Sequence, residues 1–136
     1  MPFSLRVLLV DDQPSDLILL GDLLGDFGAD MKVTTAMSGE EALAYLDATS
    51  TLPHMMLLDW HLTGMSGLDV LRGVKTAPRF QGLAVVIRSG SEDPEDRRAA
   101  LEAGADDFLG KPLGIDMLEA QLRDVVQRWC HGSGQV

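Results

Sequence analysis

The chain contains a single cysteine, Cys130, in 136 residues. One thiol excludes an intramolecular disulfide and a cysteine-built zinc site, and near the carboxyl end it reads as a semi-exposed group closing a helix. Basic residues are scarce too: 11 Lys and Arg stand against 21 Asp and Glu, for a net charge of -10 and a pI near 4.5. No stripe of lysine or arginine is present to displace counterions from a polyanion, so direct DNA or RNA binding is not expected. No run reaches the ~20 apolar residues of a membrane span. The opening Met1-Pro2-Phe3-Ser4 lacks the basic and apolar regions of a signal peptide. The expectation is a soluble cytoplasmic protein that engages neither nucleic acid nor membrane.

What is present is enough apolar content, 46% of residues, to bury the core of one domain. Strand and helix patterns alternate along it. Leu5 to Val10 reads as a strand, and Pro14 suits the first turn of a helix that carries Leu17, Leu20, Leu24 and Phe27 on one face before Gly28. Met31 to Ala36 is a second strand. Ser38-Gly39-Glu40-Glu41 is a capping box for a helix through about Asp47. His54 to Leu58 is a nearly all-apolar third strand, suited to the centre of a sheet covered on both faces.

Leu68, Val70, Leu71 and Val74 mark a third helix, and Leu83 to Ile87 a fourth strand. Asp93-Pro94 opens a fourth helix that offers mainly Ala99, Ala100, Leu101 and Ala103 to a core, so it should be loosely held. Asp106 to Gly110 is the fifth strand. Ile115, Leu118, Leu122, Val125 and Trp129 stripe a fifth helix, and the chain ends in a Gly- and Ser-rich tail from His131. Five such units predict an α/β, doubly wound, five-stranded parallel sheet with five helices, which binds ligands at the carboxyl ends of its strands.

That topology brings chemistry to one edge. Asp11 and Asp12 follow the first strand, Asp59 the third, Ser89 the fourth and Lys111 the fifth. Crowded carboxylates repel unless a cation lies among them, and a hard divalent ion such as Mg²⁺ suits all-oxygen ligands that leave room for waters and a phosphoryl group. Lys111 adds a second positive point for an anion.

In order and spacing, Asp11-Asp12, Asp59, Ser89 and Lys111-Pro112 resemble the receiver domain of two-component response regulators, over about Leu5 to Trp129. The resemblance implies a flavodoxin-like fold with strand order 2-1-3-4-5 and a receiver domain over residues 1–130, followed by a flexible tail over 131–136. It implies that Asp59 is the phosphoacceptor. Asp11, Asp12, Asp59 and the backbone carbonyl of His61 would hold Mg²⁺, with Mn²⁺ as a substitute. Lys111 would pair with the phosphoryl oxygens, Ser89 would close on them, and Phe108 takes the place of the aromatic switch residue. The implied donor is a histidine kinase or a histidine phosphotransfer protein; a homodimer stays open, as does the downstream target.

Some positions depart from the family pattern. The proline usual four residues after the acceptor is Thr63 here, which leaves Gly64 and Gly67 to keep the turn. Leu113 replaces a common phenylalanine, a small change in packing. Arg88, where apolar residues are frequent, is expected to face outward beside the site. Pro112 suggests a fixed peptide after Lys111, with the cis form open to it. The His61 ring should face solvent, because imidazole prefers softer metals than this donor set would choose. Trp60 fits either above the metal site or against the next loop. Arg97, Arg98, Asp106, Asp107 and Arg123 read as a solvated face.

Two other readings compete. A pseudo-receiver would serve only as a docking or scaffold module, although it would not need three costly carboxylates. A haloacid-dehalogenase-like phosphatase would place its nucleophile in an Asp-x-Asp after the first strand, where this chain has adjacent aspartates. The expected protein is a single receiver domain with no effector domain, a signalling acceptor and not an enzyme.

Overall fold

The computed structural model describes residues 5–28, 30–91 and 93–130; the expected tail over 131–136 lies outside them. Strands β1 (Leu5–Val10), β2 (Met31–Ala36), β3 (Met55–Asp59), β4 (Ala84–Ser89) and β5 (Asp107–Gly110) alternate with helices α1 (Pro14–Gly25), α2 (Gly39–Ala48), α3 (Gly67–Lys75), α4 (Pro94–Glu102) and α5 (Ile115–Trp129). The strands form one parallel sheet in the order β2-β1-β3-β4-β5, as the alternation predicts. A short 3₁₀ turn at Pro78–Phe80, not expected from the sequence, leads into β4.

Burial on both faces explains the apolar strands. All of β3 is buried. One core layer joins Leu8, Val10, Met56, Leu58, Val85 and Ile87 to α2, α3 and Ala100 of α4. The other joins Val7, Leu9, Met55, Leu57 and Val86 to α1 and α5. Hold on the helices differs: α5 buries Leu118, Leu122, Val125 and Val126, whereas α4 buries only Ala100. At roughly 1.5–3 kcal/mol per buried large aliphatic side chain, burial anchors α5 far more than α4, whose apolar contribution is as small as the sequence predicts.

Local chemistry corrects several expectations. Asp106 lies outside β5 because its carboxylate takes the Val85 N–H and the Lys75 ammonium, both at 2.7 Å. His54 precedes β3 but its backbone still binds Arg6 of β1. Ser38 caps Glu41 N–H, but Glu41 reaches back to Met37 and not to Ser38; the complete capping box is Ser66 with Asp69. Cys130 is buried at 7% exposure, and burial pushes its thiol up to about 12. Ile115 is 59% exposed and Leu113 fully so, so neither packs. No cis peptide occurs among the described residues, so Lys111-Pro112 is trans.

The supposed solvated face is also partly structural. Arg97 lies over the Phe108 ring, Arg123 over Phe27, and Asp107 takes Arg128 at 2.8 Å; only Arg98, paired with Glu95 and Glu102 on α4, behaves as a surface residue.

Candidate functional site

In a sheet of this order the chain reverses direction of growth between β1 and β3, and the loops there part to leave a cleft at the strand ends. Asp11 follows β1 and Asp59 ends β3. Their alternation with Leu9 and Leu57 puts both on the α1/α5 face, and both are buried, at 2% and 4% exposure. One carboxylate oxygen from each of Asp11, Asp12 and Asp59 lies within 4.8 Å of the others.

Neither aspartate of the pair caps α1, whose cap is Gln13 without a side-chain bond. Asp11 Oδ1 accepts the Gln13 N–H at 2.9 Å, while its buried Oδ2 has no hydrogen-bond partner. Burial, with Asp59 adding to it, pushes Asp11 up to about 6 against the pull of the Gln13 N–H and Lys111. Asp12 moves the other way: the Thr63 hydroxyl and N–H hold it below the ordinary carboxylate value. Thr63 donates to Asp12 Oδ2 from both its hydroxyl and its backbone N–H, the latter at 3.0 Å. A proline here would have no N–H or hydroxyl to give. The turn that follows is kept by glycine, as expected. Gly64 has φ +78°, and at Gly67 a Cβ would lie 2.6 Å from the Asp59 carbonyl oxygen, so α3 approaches the tip of β3 only because Gly67 has no side chain.

The remaining predicted groups converge from β4 and β5. Lys111 Nζ is 3.5 Å from Asp59 Oδ1, and the same oxygen accepts the His61 N–H at 3.2 Å. Ser89 is fully buried; its carbonyl accepts the Lys111 N–H at 3.0 Å and its hydroxyl accepts the Ser91 N–H at 3.0 Å. The His61 ring is exposed and approaches Asp96 at 3.9 Å. Phe108 lies apart from the acidic cleft, in the core layer under α3 and α4.

The structure corrects Arg88 and decides Trp60, whose place the sequence left open. Arg88 does not face outward: it is 6% exposed, on the Asp59 side of the sheet, with Nη1 3.8 Å from Asp11 Oδ2. Burial lowers its pKa, opposed by Asp11, Asp16 and Asp59. Trp60 is tucked inward against Phe108, and its N–H is bound to the Arg88 carbonyl at 2.9 Å. The apolar context of Arg88 and the position of Trp60 directly after Asp59 were the only signals for either.

The donor set fits a hard divalent cation. Three carboxylates approach one point, one of them with an unpartnered buried oxygen, and such oxygens suit Mg²⁺ or Mn²⁺ over a softer metal.

A doubly wound parallel sheet with a carboxylate cluster at its switch point and a lysine opposite defines the class: an α/β module with an acidic site beside an ammonium. The response regulator receiver domain family matches residues 7–123, and the chain belongs to that family. The chain is 38% identical over 125 residues to the response regulator PleD of Caulobacter vibrioides, covering 91% of this chain and 26% of PleD. It is 40% identical over 125 residues to the transcriptional regulatory protein KdpE of Mycobacterium tuberculosis, covering 90% of this chain and 51% of KdpE. The chain thus spans about a quarter to a half of the length of these curated relatives. Among solved structures, the phosphorylated cyanobacterial phytochrome response regulator RcpA matches with a TM-score of 0.86 at 25% identity, covering 93% of this chain and 94% of that one. The Mn²⁺-bound form of response regulator Rcp1 matches at 0.82 and 25%, with the same coverage. Receiver domains are signalling modules that interact with histidine kinases or phosphotransfer proteins and bind Mg²⁺ at an acidic pocket. No helix among the described residues is long and apolar enough to cross a membrane.

Proposed function

We propose that Asp59 accepts a phosphoryl group from a phosphohistidine on a histidine kinase or phosphotransfer protein, and that the chain signals through the resulting change of its α4-β5-α5 surface. One observation carries the reading: a carboxylate at the tip of the central strand has two others within 4.8 Å and an ammonium at 3.5 Å. Asp59 Oδ1 is engaged by His61 N–H and Lys111, which leaves Oδ2 as the nucleophile. The bond from this oxygen to phosphorus forms as the phosphohistidine N–P bond breaks, and the imidazole nitrogen keeps the electron pair and takes a proton from water. In hydrolysis, water attacks phosphorus and Asp59 leaves as carboxylate, releasing phosphate and a proton.

Such transfers pass through a loose in-line transition state, so the protein contributes position and charge. Lys111 supplies part of the charge. Asp11, Asp12, Asp59 and the His61 carbonyl would hold a divalent cation, which when bound neutralises the phosphoryl oxygens. The protein thereby assists its own phosphorylation and dephosphorylation without being an enzyme in the usual sense.

The output rests on Ser89 and Phe108. Ser89 Oγ can leave the Ser91 N–H for a phosphoryl oxygen. Phe108, already buried, is bracketed by Trp60 and by Arg97 of the weakly held α4, so a shift at either end alters the packing of α4. Phosphorylation can bias that equilibrium only through contacts that differ between the two states.

The test is incubation with Mg²⁺ and acetyl phosphate, followed by intact-mass measurement. One phosphoryl group should be gained, stable in acid and labile in base, and Asp59→Asn should gain none. Equal gain in Asp59→Asn would remove the acceptor assignment; no gain in the wild type would leave a docking module.

A further inference from the structure

Among the described residues, Arg88 is a buried charge of the cleft that the acceptor chemistry leaves unused. It stands on β4 in register with Asp59, and its guanidinium faces acidic groups from the β1–α1 loop (Asp11), the first turn of α1 (Asp16) and β3 (Asp59). Its Nη1 lies 3.8 Å from Asp11 Oδ2, too far for a hydrogen bond and near enough for strong attraction in a poorly solvated site. Nε and Nη1 of Arg88 and Oδ2 of Asp11 are all buried without a hydrogen-bond partner. Such groups normally find partners. A buried guanidinium with open donors beside a buried carboxylate with an open oxygen is a pair held by charge alone, and it can part without breaking a hydrogen bond.

We propose that Arg88 is a positioning residue, a resident cation that stands against Asp11 and competes with a divalent cation for it, and thereby sets how tightly that cation binds there. The inference rests on the metal-holding part of the function proposed above. A cation held by Asp11, Asp12 and Asp59 needs the Asp11 charge that Arg88 already satisfies, and it meets a positive neighbour on arrival. Both effects weaken metal binding. An arginine that merely fills space would have no such effect on metal affinity.

The experiment is calorimetric titration with MgCl₂, at low ionic strength, of the wild-type chain, Arg88→Met and Arg88→Lys, each first shown to be folded by circular dichroism. At about pH 8, Arg88→Met should bind Mg²⁺ about ten-fold more tightly than wild type and Arg88→Lys should stay within about two-fold of it. Unchanged or weaker binding by Arg88→Met overturns the inference, and so does equal tightening in Arg88→Lys, because charge would then not be the cause. If Arg88→Met does not fold, Arg88→Gln takes its place with the same expected tightening, and a wild-type Kd there overturns the inference. Absence of Mg²⁺ binding in every protein overturns the metal reading and this inference together; binding by wild type with no change in the neutral variant overturns this inference alone.

Discussion

Trp60 and Phe108 meet edge to face, with ring centroids 6.2 Å apart and planes at 72°. Trp60 directly follows Asp59, and the Phe108 ring on β5 also lies against Arg97 of α4, whose Nη1 donates to the Phe108 carbonyl at 3.2 Å. The contact therefore joins the tip of the central strand to the most weakly buried helix.

A double-mutant cycle with Trp60→Leu and Phe108→Leu should give a coupling of about 0.5–1.5 kcal/mol in denaturant unfolding, the range of such aromatic pairs. Additive effects, within about 0.3 kcal/mol, would show that the rings merely share a core.

Divalent metal should stabilise the fold, because carboxylates crowded within 4.8 Å repel one another without it. Mg²⁺ at ten times its Kd adds about 1.4 kcal/mol by mass action, read as a rise in Tm. Asp12→Ala should lose most of that rise; full retention would take Asp12 out of the metal site.

On addition of beryllofluoride as a phosphoryl mimic, changes in amide exchange should concentrate from about Ser89 to Leu118, since α4 buries only Ala100 and weakly buried elements open at low free energy. Ser89→Ala should still take phosphate and show a much smaller response. Changes confined to the loops of Asp11, Asp12 and Asp59 would instead point to a phosphate sink or relay.

Thr63→Pro removes both donors to Asp12. Hydrogen bonds to a charged acceptor contribute more than neutral ones, but this pair is solvent-exposed, so the expected loss is about 1 kcal/mol of stability. Amides at 61–64 should exchange faster. Wild-type exchange there would mean that Gly64 and Gly67 hold the turn unaided.

Cys130 should resist alkylation near pH 8, since burial pushes its thiol up to about 12 and the thiolate is the reactive form. Its folded pKa lies above the unfolded value near 9. Stability is therefore fully present below pH 9 and is lost as pH rises toward 12, where the unfolded chain is favoured by releasing the proton. Rapid labelling of the native protein at neutral pH would contradict the buried placement.

Most of the sheet was legible because apolar runs of strand length, separated by helix starts at Pro14, Ser38 and Pro94, leave little choice of topology. The site was legible for the same reason: Asp11, Asp59, Ser89 and Lys111 each follow such a run, and parallel strands send their ends to one edge. The inward turn of Arg88 was not legible, because in a sheet covered on both faces periodicity no longer marks an outer side, and nothing local separates a buried charge at a strand end from a solvated one. Ile115 misled in the opposite way: a helix stripe marks a face but not where the facing layer ends.

The order of residues alone thus determined the strands, their parallel pairing and the acidic edge, since each follows from burying apolar runs and satisfying backbone hydrogen bonds within a short stretch. Only the tertiary structure decided the contacts that tune the edge. Thr63 reaches Asp12 across 51 residues, Trp60 meets Phe108 from another strand, and Arg88 turns toward Asp11 on a third. Each of these depends on register, loop path and the shape of a neighbouring side chain, which no local pattern records.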